Sequence, residues 1–295
     1  MTKFFFSLLQ LQKLTGNDLH LQKLVLTWGI VMLAVSLLCF LVSEITSNYS
    51  QVDKLWSLMP ILYSIIALAA FPSVRLIIMS LLVMTWGLRL SYNFGRKGGY
   101  NIVPWRGEED YRWKVLRQDP ALKGRFRFGL FNLFFISIYQ NLLILLFCTP
   151  LFLAAKNKEA GLNFTDLLAG TLMLTFIITE TIADNQLFRF HQLKKKLLPL
   201  DGTYEESLKN GFFSEGLWKY SRHPNFASEQ AIWICFYLFG VAASGKLLNW
   251  TIAGAALLVL LFVASSGFTE KISSEKYPGY SSYRKRVSRF LPLPW

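Results

Sequence analysis

Leu130-Phe-Asn-Leu-Phe-Phe-Ile-Ser-Ile-Tyr-Gln-Asn-Leu-Leu-Ile-Leu-Leu-Phe-Cys-Thr-Pro-Leu-Phe-Leu-Ala-Ala155 is a run of 26 residues without one charge. At about 1.5 Å of rise per residue, roughly 20 apolar residues cross a hydrocarbon core about 30 Å thick. The run is long enough to cross with more than a turn to spare. Residues 24–43, 55–71 and 247–268 are likewise uncharged, whereas 76–94 carry only Arg89, 162–183 carry Asp166 and Glu180, and 226–243 carry Glu229. That gives seven spans, of which 55–71 is the shortest. Composition agrees: mean hydropathy is +0.35, 53% of the 295 residues are hydrophobic and 17% are charged, against about 25% charged in soluble domains. The expected fold is all-α, a polytopic membrane bundle of about seven transmembrane helices.

A net charge of +13 raises nucleic acid as a partner, but the placement of the charge argues against it. Residues 95–127 hold nine Lys/Arg against four acids, 189–223 hold seven against four, and 270–289 hold six against two. These segments follow spans three, five and seven, so all three lie on one face, while the connectors at 72–75, 156–161 and 244–246 are short. The positive-inside rule puts the basic face in the cytoplasm, the N-terminus outside and the C-terminus inside. Lys3, Lys13 and Lys23 run the other way, and the larger asymmetry decides. Residues 1–23 read as an N-terminal amphipathic surface segment, with a surface-lying helix through 1–14 and no cleavable signal. Residues 24–295 read as a single membrane domain. Cys39, Cys148 and Cys235 all fall in apolar runs and read as small buried hydrophobes.

Ionisable groups in hydrocarbon cost at least about 2.5–3.5 kcal/mol each, which makes them functional candidates. This chain has Arg89, Glu180, Asp184 and Glu229, with Glu270 at the end of the last span. Glu180 and Asp184 are four apart and share a helix face. Asp53 precedes span two, where two readings stand: a partly desolvated acid with a raised pKa that donates a proton, or an acid favoured at a helix N-terminus by the macrodipole. Residues 217–229, Leu-Trp-Lys-Tyr-Ser-Arg-His-Pro-Asn-Phe-Ala-Ser-Glu, bring Lys219, Arg222, His223, Asn225 and Glu229 to the entrance of span six. A planar guanidinium such as Arg222 matches phosphate oxygens. No glycine-rich dinucleotide fingerprint and no phosphate loop occur. The three histidines are too scattered for a metal site.

The stretch Gly216-Leu-Trp-Lys-Tyr-Ser-Arg-His-Pro-Asn225 with Glu229 resembles the signature of the steroid 5-alpha-reductase-like superfamily, closest to its bacterial membrane-protein branch. Supporting matches are Asp53-Lys-Leu-Trp56-Ser57, Trp86-Gly-Leu-Arg89, Gly107-Glu-Glu-Asp110-Tyr-Arg112-Trp, Ala183-Asp184-Asn-Gln186, Lys276-Tyr277-Pro-Gly-Tyr280, Tyr283-Arg284 and Ser288-Arg-Phe-Leu-Pro292. The resemblance implies a multi-pass reductase that uses NADPH to deliver a hydride to an activated C=C bond of a lipophilic, steroid- or isoprenoid-like substrate. It implies cofactor contacts from Arg112, Asp184, Arg222, His223, Asn225, Glu229, Glu270, Tyr277 and Arg284, within a cofactor-binding half of about residues 130–295. It implies catalytic roles for Asp53 and Trp86 and substrate contacts from Trp56 and Arg89. The expected partners are that substrate and membrane lipid, with no nucleic acid and no obligate protein. The expected place is a bacterial inner membrane, or the endoplasmic reticulum in a eukaryote.

The chain departs from the superfamily pattern in two places. Asn225-Phe-Ala-Ser-Glu229 stands where Asn-Tyr-Phe-Gly-Glu is usual, and the Glu/Tyr pair that steroid reductases use on the enone has no clean counterpart. Two other readings remain open: an S-adenosylmethionine-dependent lipid or isoprenylcysteine methyltransferase on the same scaffold, and a non-catalytic lipid-binding membrane protein. Such methyltransferases show a Glu-Glu pair after the last span. Here Glu270 is followed by Lys271, which favours the reductase.

Overall fold

The computed structural model describes residues 18–291 apart from Pro104 and Asp201. The surface helix expected at 1–14 and the closing residues 292–295 lie outside them. Helices make up the fold, and no strand occurs among the described residues; Ser221 and Ser288 form an isolated parallel bridge. Six helices are long and apolar enough to cross a membrane. They are α1 (Leu19–Thr46), α4 (Val74–Gly95), α6 (Arg125–Lys156), α7 (Phe164–Lys194), α9 (Pro224–Ser244) and α10 (Ile252–Lys276). The seventh run folds as a short α2 (Gln51–Leu55) and an apolar α3 (Leu58–Ala70). The break between them sits at Trp56 and Ser57, both still near helical dihedrals. Pro60 explains it: with no N–H, it cannot bond the carbonyl four residues back, at Trp56.

The chain divides into two compact units, Met1–Gly170 with Phe236–Gly254, and Thr171–Cys235 with Ala255–Trp295. In the first, α1 starts on an Asp18 side chain that accepts from the His20 and Leu21 backbone amides, at 2.8 and 3.1 Å. This is an N-cap that satisfies two otherwise unbonded donors. Gly87 on α4 lies against α3, where a Cβ would come within 2.7 Å of the Ser57 carbonyl oxygen. The middle of α6, Asn132–Tyr139, is wound as a π-helix. Arg75 is buried at the head of α4 and makes a bidentate pair with Asp166, Nε to Oδ1 at 2.7 Å and Nη2 to Oδ2 at 2.8 Å. It also donates to the carbonyls of Ala160 and Gly161. Asn163 donates to the Ala242 carbonyl at 3.0 Å, so the three short connectors of this unit are tied together.

In the second unit, α8 (Glu205–Asn210), a 3-10 turn at Gly216–Lys219 and α11 (Tyr280–Arg286) fold around the ends of the long helices. Phe190, Phe213 and Trp218 form one apolar cluster, and Phe212, Tyr280 and Tyr283 another. Gly216 has φ 59°, and a Cβ there would lie 2.6 Å from the Gln186 side chain. Both facts require glycine. Gln186 in turn accepts from the Leu217 amide at 3.0 Å, which fixes the entry to the Arg-His-Pro segment.

Candidate functional site

In the second unit the predicted residues converge on one carboxylate. Glu270, on α10, is 1% exposed. Its Oε1 accepts from Arg222 Nε at 2.8 Å and lies 3.0 Å from His223 Nε2. Its Oε2 lies 3.3 Å from Arg284 Nε and 3.8 Å from Arg289 Nη2. Three guanidinium groups and an imidazole thus surround one acid, leaving a cationic excess. The donors are not equivalent. Arg222 is buried; its Nη2 also reaches Glu270 Oε2 at 3.4 Å, and its Nη1 donates to the carbonyls of Arg284, at 2.9 Å, and Val287. The backbone follows the same line: Arg222 N donates to the Ser288 carbonyl at 2.9 Å, and His223 N to that of Arg289 at 3.1 Å. Arg222 is a clamp on the C-terminal strap, and the fork that the sequence assigns to phosphate already holds protein oxygens. The guanidiniums that reach solvent are Arg284, 45% exposed, and Arg289, 33% exposed. Arg289 was not among the expected site residues, although it lies in the Ser-Arg-Phe-Leu-Pro stretch that carries the resemblance.

Asn225 and Asp184 also meet. Asn225 Nδ2 donates to Asp184 Oδ1 at 3.2 Å, while its Oδ1 caps the Phe226 amide at 3.0 Å. Glu229, one turn further along α9, is buried and accepts from Trp233 Nε1 at 3.1 Å. His223 stacks on Phe226, ring centres 5.4 Å apart. Tyr277 stands just beyond α10, where Lys194 donates to its hydroxyl at 3.0 Å and sits 4.8 Å from its ring centre. Burial opposes ionisation of that hydroxyl, but the hydrogen bond and charge of Lys194, with Lys276, hold its pKa below the usual phenol value.

The remaining expected residues belong to the first unit. Asp53, on α2, is partly buried and accepts from Trp113 Nε1 at 2.9 Å. Burial, and then the nearby Asp110 carboxylate, push its pKa up; Arg112 and the Trp113 hydrogen bond work against them. Arg112 is bound bidentately by Asp110, through Nε at 2.9 Å and Nη2 at 2.8 Å. Burial would raise Asp110 as well, but Arg112 holds its carboxyl below the ordinary value. Asp53 lies in the first turn of α2, a helix of five residues. Trp56 lies 5.9 Å from Phe147, ring centre to ring centre. Trp86 is fully buried on α4, and Arg89 follows three residues later, half-buried. Arg112, expected among the cofactor contacts, therefore shares a unit with Asp53 and not with Glu270. No cluster of His, Cys, Asp and Glu able to hold a metal occurs among the described residues.

Residues 39–287 match the model of a family described as protein of unknown function, DUF1295. The chain belongs to that family. The match spans every expected site residue and stops two positions before Arg289. A Schizosaccharomyces pombe relative, described as an uncharacterized protein, is 41% identical over 263 residues, covering 85% of this chain and 74% of the relative. No solved structure matches the chain.

Proposed function

We propose that this DUF1295 protein is a steroid 5-alpha-reductase-like, membrane-embedded NADPH-dependent reductase of an activated C=C bond in a lipophilic substrate. The observation that carries the reading is the Glu270 cluster. A buried carboxylate orders three guanidiniums around itself, two of which keep donors toward solvent. A net positive, preformed set of planar donors fits a phosphorylated dinucleotide. S-adenosylmethionine, whose only anionic group is a carboxylate, has less use for it. The clamp role of Arg222 does not weaken the fit, because it positions Arg284 and Arg289.

Bound NADPH would supply the hydride. In the cofactor unit, Arg284 and Arg289 bind phosphate oxygens and Arg222 holds their segment in place. His223 and Glu270 fix the clamp, and the Asn225–Asp184 pair and Glu229 offer amide and carboxylate groups to a ribose or carboxamide. In the other unit, Asp53 keeps a proton to higher pH than a free aspartate, because burial disfavours its anion. Oriented by Trp113, it is the proposed proton donor to a carbonyl oxygen. Trp56, Trp86 and Arg89 are the proposed substrate contacts. For the membrane arrangement we propose seven spans, counting the short apolar run 55–71, with the N-terminus outside and the C-terminus cytoplasmic. The tied connectors support a common face for residues 72–75, 156–161 and 244–246. The host membrane is proposed to be a bacterial inner membrane, or the endoplasmic reticulum in a eukaryote.

Thermal unfolding of the purified chain with NADPH, NADH or S-adenosylmethionine tests the reading. Stabilisation by NADPH, absent in Asn225→Ala and Glu229→Ala, is expected. Stabilisation by the methyl donor alone would replace the reductase with the methyltransferase, and indifference to all three would leave a lipid-binding protein.

A further inference from the structure

The far end of α1 meets a loop whose backbone is held by side chains of residues 48–54. Three successive carbonyls are pinned by side chains from 48–54: Trp105 O by Gln51 Nε2 at 3.2 Å, Arg106 O by Lys54 Nζ at 2.6 Å, and Gly107 O by Asn48 Nδ2 at 3.0 Å. Gly107 has φ 117°, a turn that favours glycine. With its backbone held this way, the loop turns Trp105, 51% exposed, and Arg106 outward, beside a fully exposed Ile102. Thr46, Asn48, Trp105, Arg106 and Gly107 line an open recess of about 360 Å³. Of the three acids that follow, Glu109 pairs with Arg117 and Asp110 with Arg112, while Glu108 is solvent-exposed. α1 leads up to the recess with a run of exposed apolar residues, Ile30, Leu33, Leu37, Leu41 and Ile45, the last 81% exposed and next in sequence to Thr46. Their spacing of three and four places them on one helix face.

We propose that this recess binds the headgroup of an anionic phospholipid whose acyl chains lie along the α1 ridge. The Arg106 fork takes the phosphate and the Trp105 indole sits at the headgroup level, where tryptophan is favoured. The ridge requires hydrocarbon, which selects a lipid over a soluble phosphate. The site is independent of the proposed reductase chemistry.

Native mass spectrometry of the full chain, titrated in neutral detergent with phosphatidylglycerol or phosphatidylcholine, tests it. Phosphatidylglycerol is expected to be retained preferentially. Arg106→Glu should weaken it by about tenfold through reversal of one interfacial charge, and Trp105→Ala should weaken it less. Lys123→Glu, an exposed charge reversal elsewhere in the basic loop, should leave it unchanged. The backbone carbonyls and not the Arg106 side chain make the pinning bonds, so the variant keeps its fold; its thermal unfolding checks this. Equal retention of the two lipids, unchanged binding in Arg106→Glu, or displacement by glycerol 3-phosphate as effective as by lipid would each overturn the proposal.

Discussion

Replacing Arg222 with Lys isolates the clamp from the charge. The arginine donates four hydrogen bonds, two to Glu270 and one each to the Arg284 and Val287 carbonyls. A single ammonium can stay with Glu270 but cannot reach two carbonyls on the far side. Each lost bond from a charged donor is worth about 1.5–3 kcal/mol, and partial recovery by the ammonium leaves a deficit of roughly 3 kcal/mol for opening the strap. At about 1.4 kcal/mol per tenfold, the open population rises roughly a hundredfold. The strap carries its own reporters, because Arg284, Lys285 and Arg286 are exposed trypsin sites on α11. Position 222 remains a trypsin site in the variant, so the cleavage map is unchanged. Limited trypsinolysis tracks the open population where reclosing outpaces cleavage, and cleavage within 284–286 should accelerate by about that factor. The same bonds are absent from the unfolded chain, so thermal unfolding should also move down, by no more than the same free energy, while the backbone bonds from Arg222 and His223 to Ser288 and Arg289 hold the register of the closed strap. A cleavage rate within about twofold of wild type would refute the clamp.

Asp166→Asn strands the buried Arg75 guanidinium and should cost about 3–5 kcal/mol, read as early thermal aggregation in detergent. Gly254→Ala drives a Cβ into the α6 backbone at Leu146 and Phe147; a loss of about 1–3 kcal/mol from overpacking is expected in the same assay. Asp53→Asn keeps an acceptor for Trp113 and removes an acid whose folded pKa is raised. Such a group contributes its stability below the unfolded pKa, near 4, and loses it as pH rises through the folded value. The variant should therefore gain on wild type in paired unfolding scans as pH goes from about 4 to 8, while losing any reductase turnover. A difference that does not change with pH would contradict the burial of Asp53.

The spans were legible because a bilayer selects composition over a fixed length. The helix ends were not, since a helix need not stop where hydrocarbon does. α7 continues through Asp184, Arg189 and Lys194, eleven residues past the apolar run, because charged residues form helix well in water. The opposite failure occurs at 55–71, where one apolar run hides a proline break. The break at 278–279, a Pro-Gly step, and the short helix after Tyr204 follow local turn chemistry. Partnerships were not legible. Arg75 and Asp166 are 91 positions apart, and nothing local marks them as a pair. The convergence of Arg222, His223, Glu270 and Arg284 came from resemblance alone. Even so, residue type could not reveal that Arg222 faces inward while Arg289 faces solvent. That difference depends on the strap folding back to make the Ser221–Ser288 bridge.

The most direct test of the central claim is equilibrium binding of NADPH and NADH to the wild-type chain and to the double variant Arg284→Gln, Arg289→Gln. The account predicts that NADPH binds more tightly than NADH, and that the double variant loses most of this preference while remaining folded. Equal affinity for the two nucleotides in the wild type, or an NADPH preference untouched by the double substitution, would contradict it.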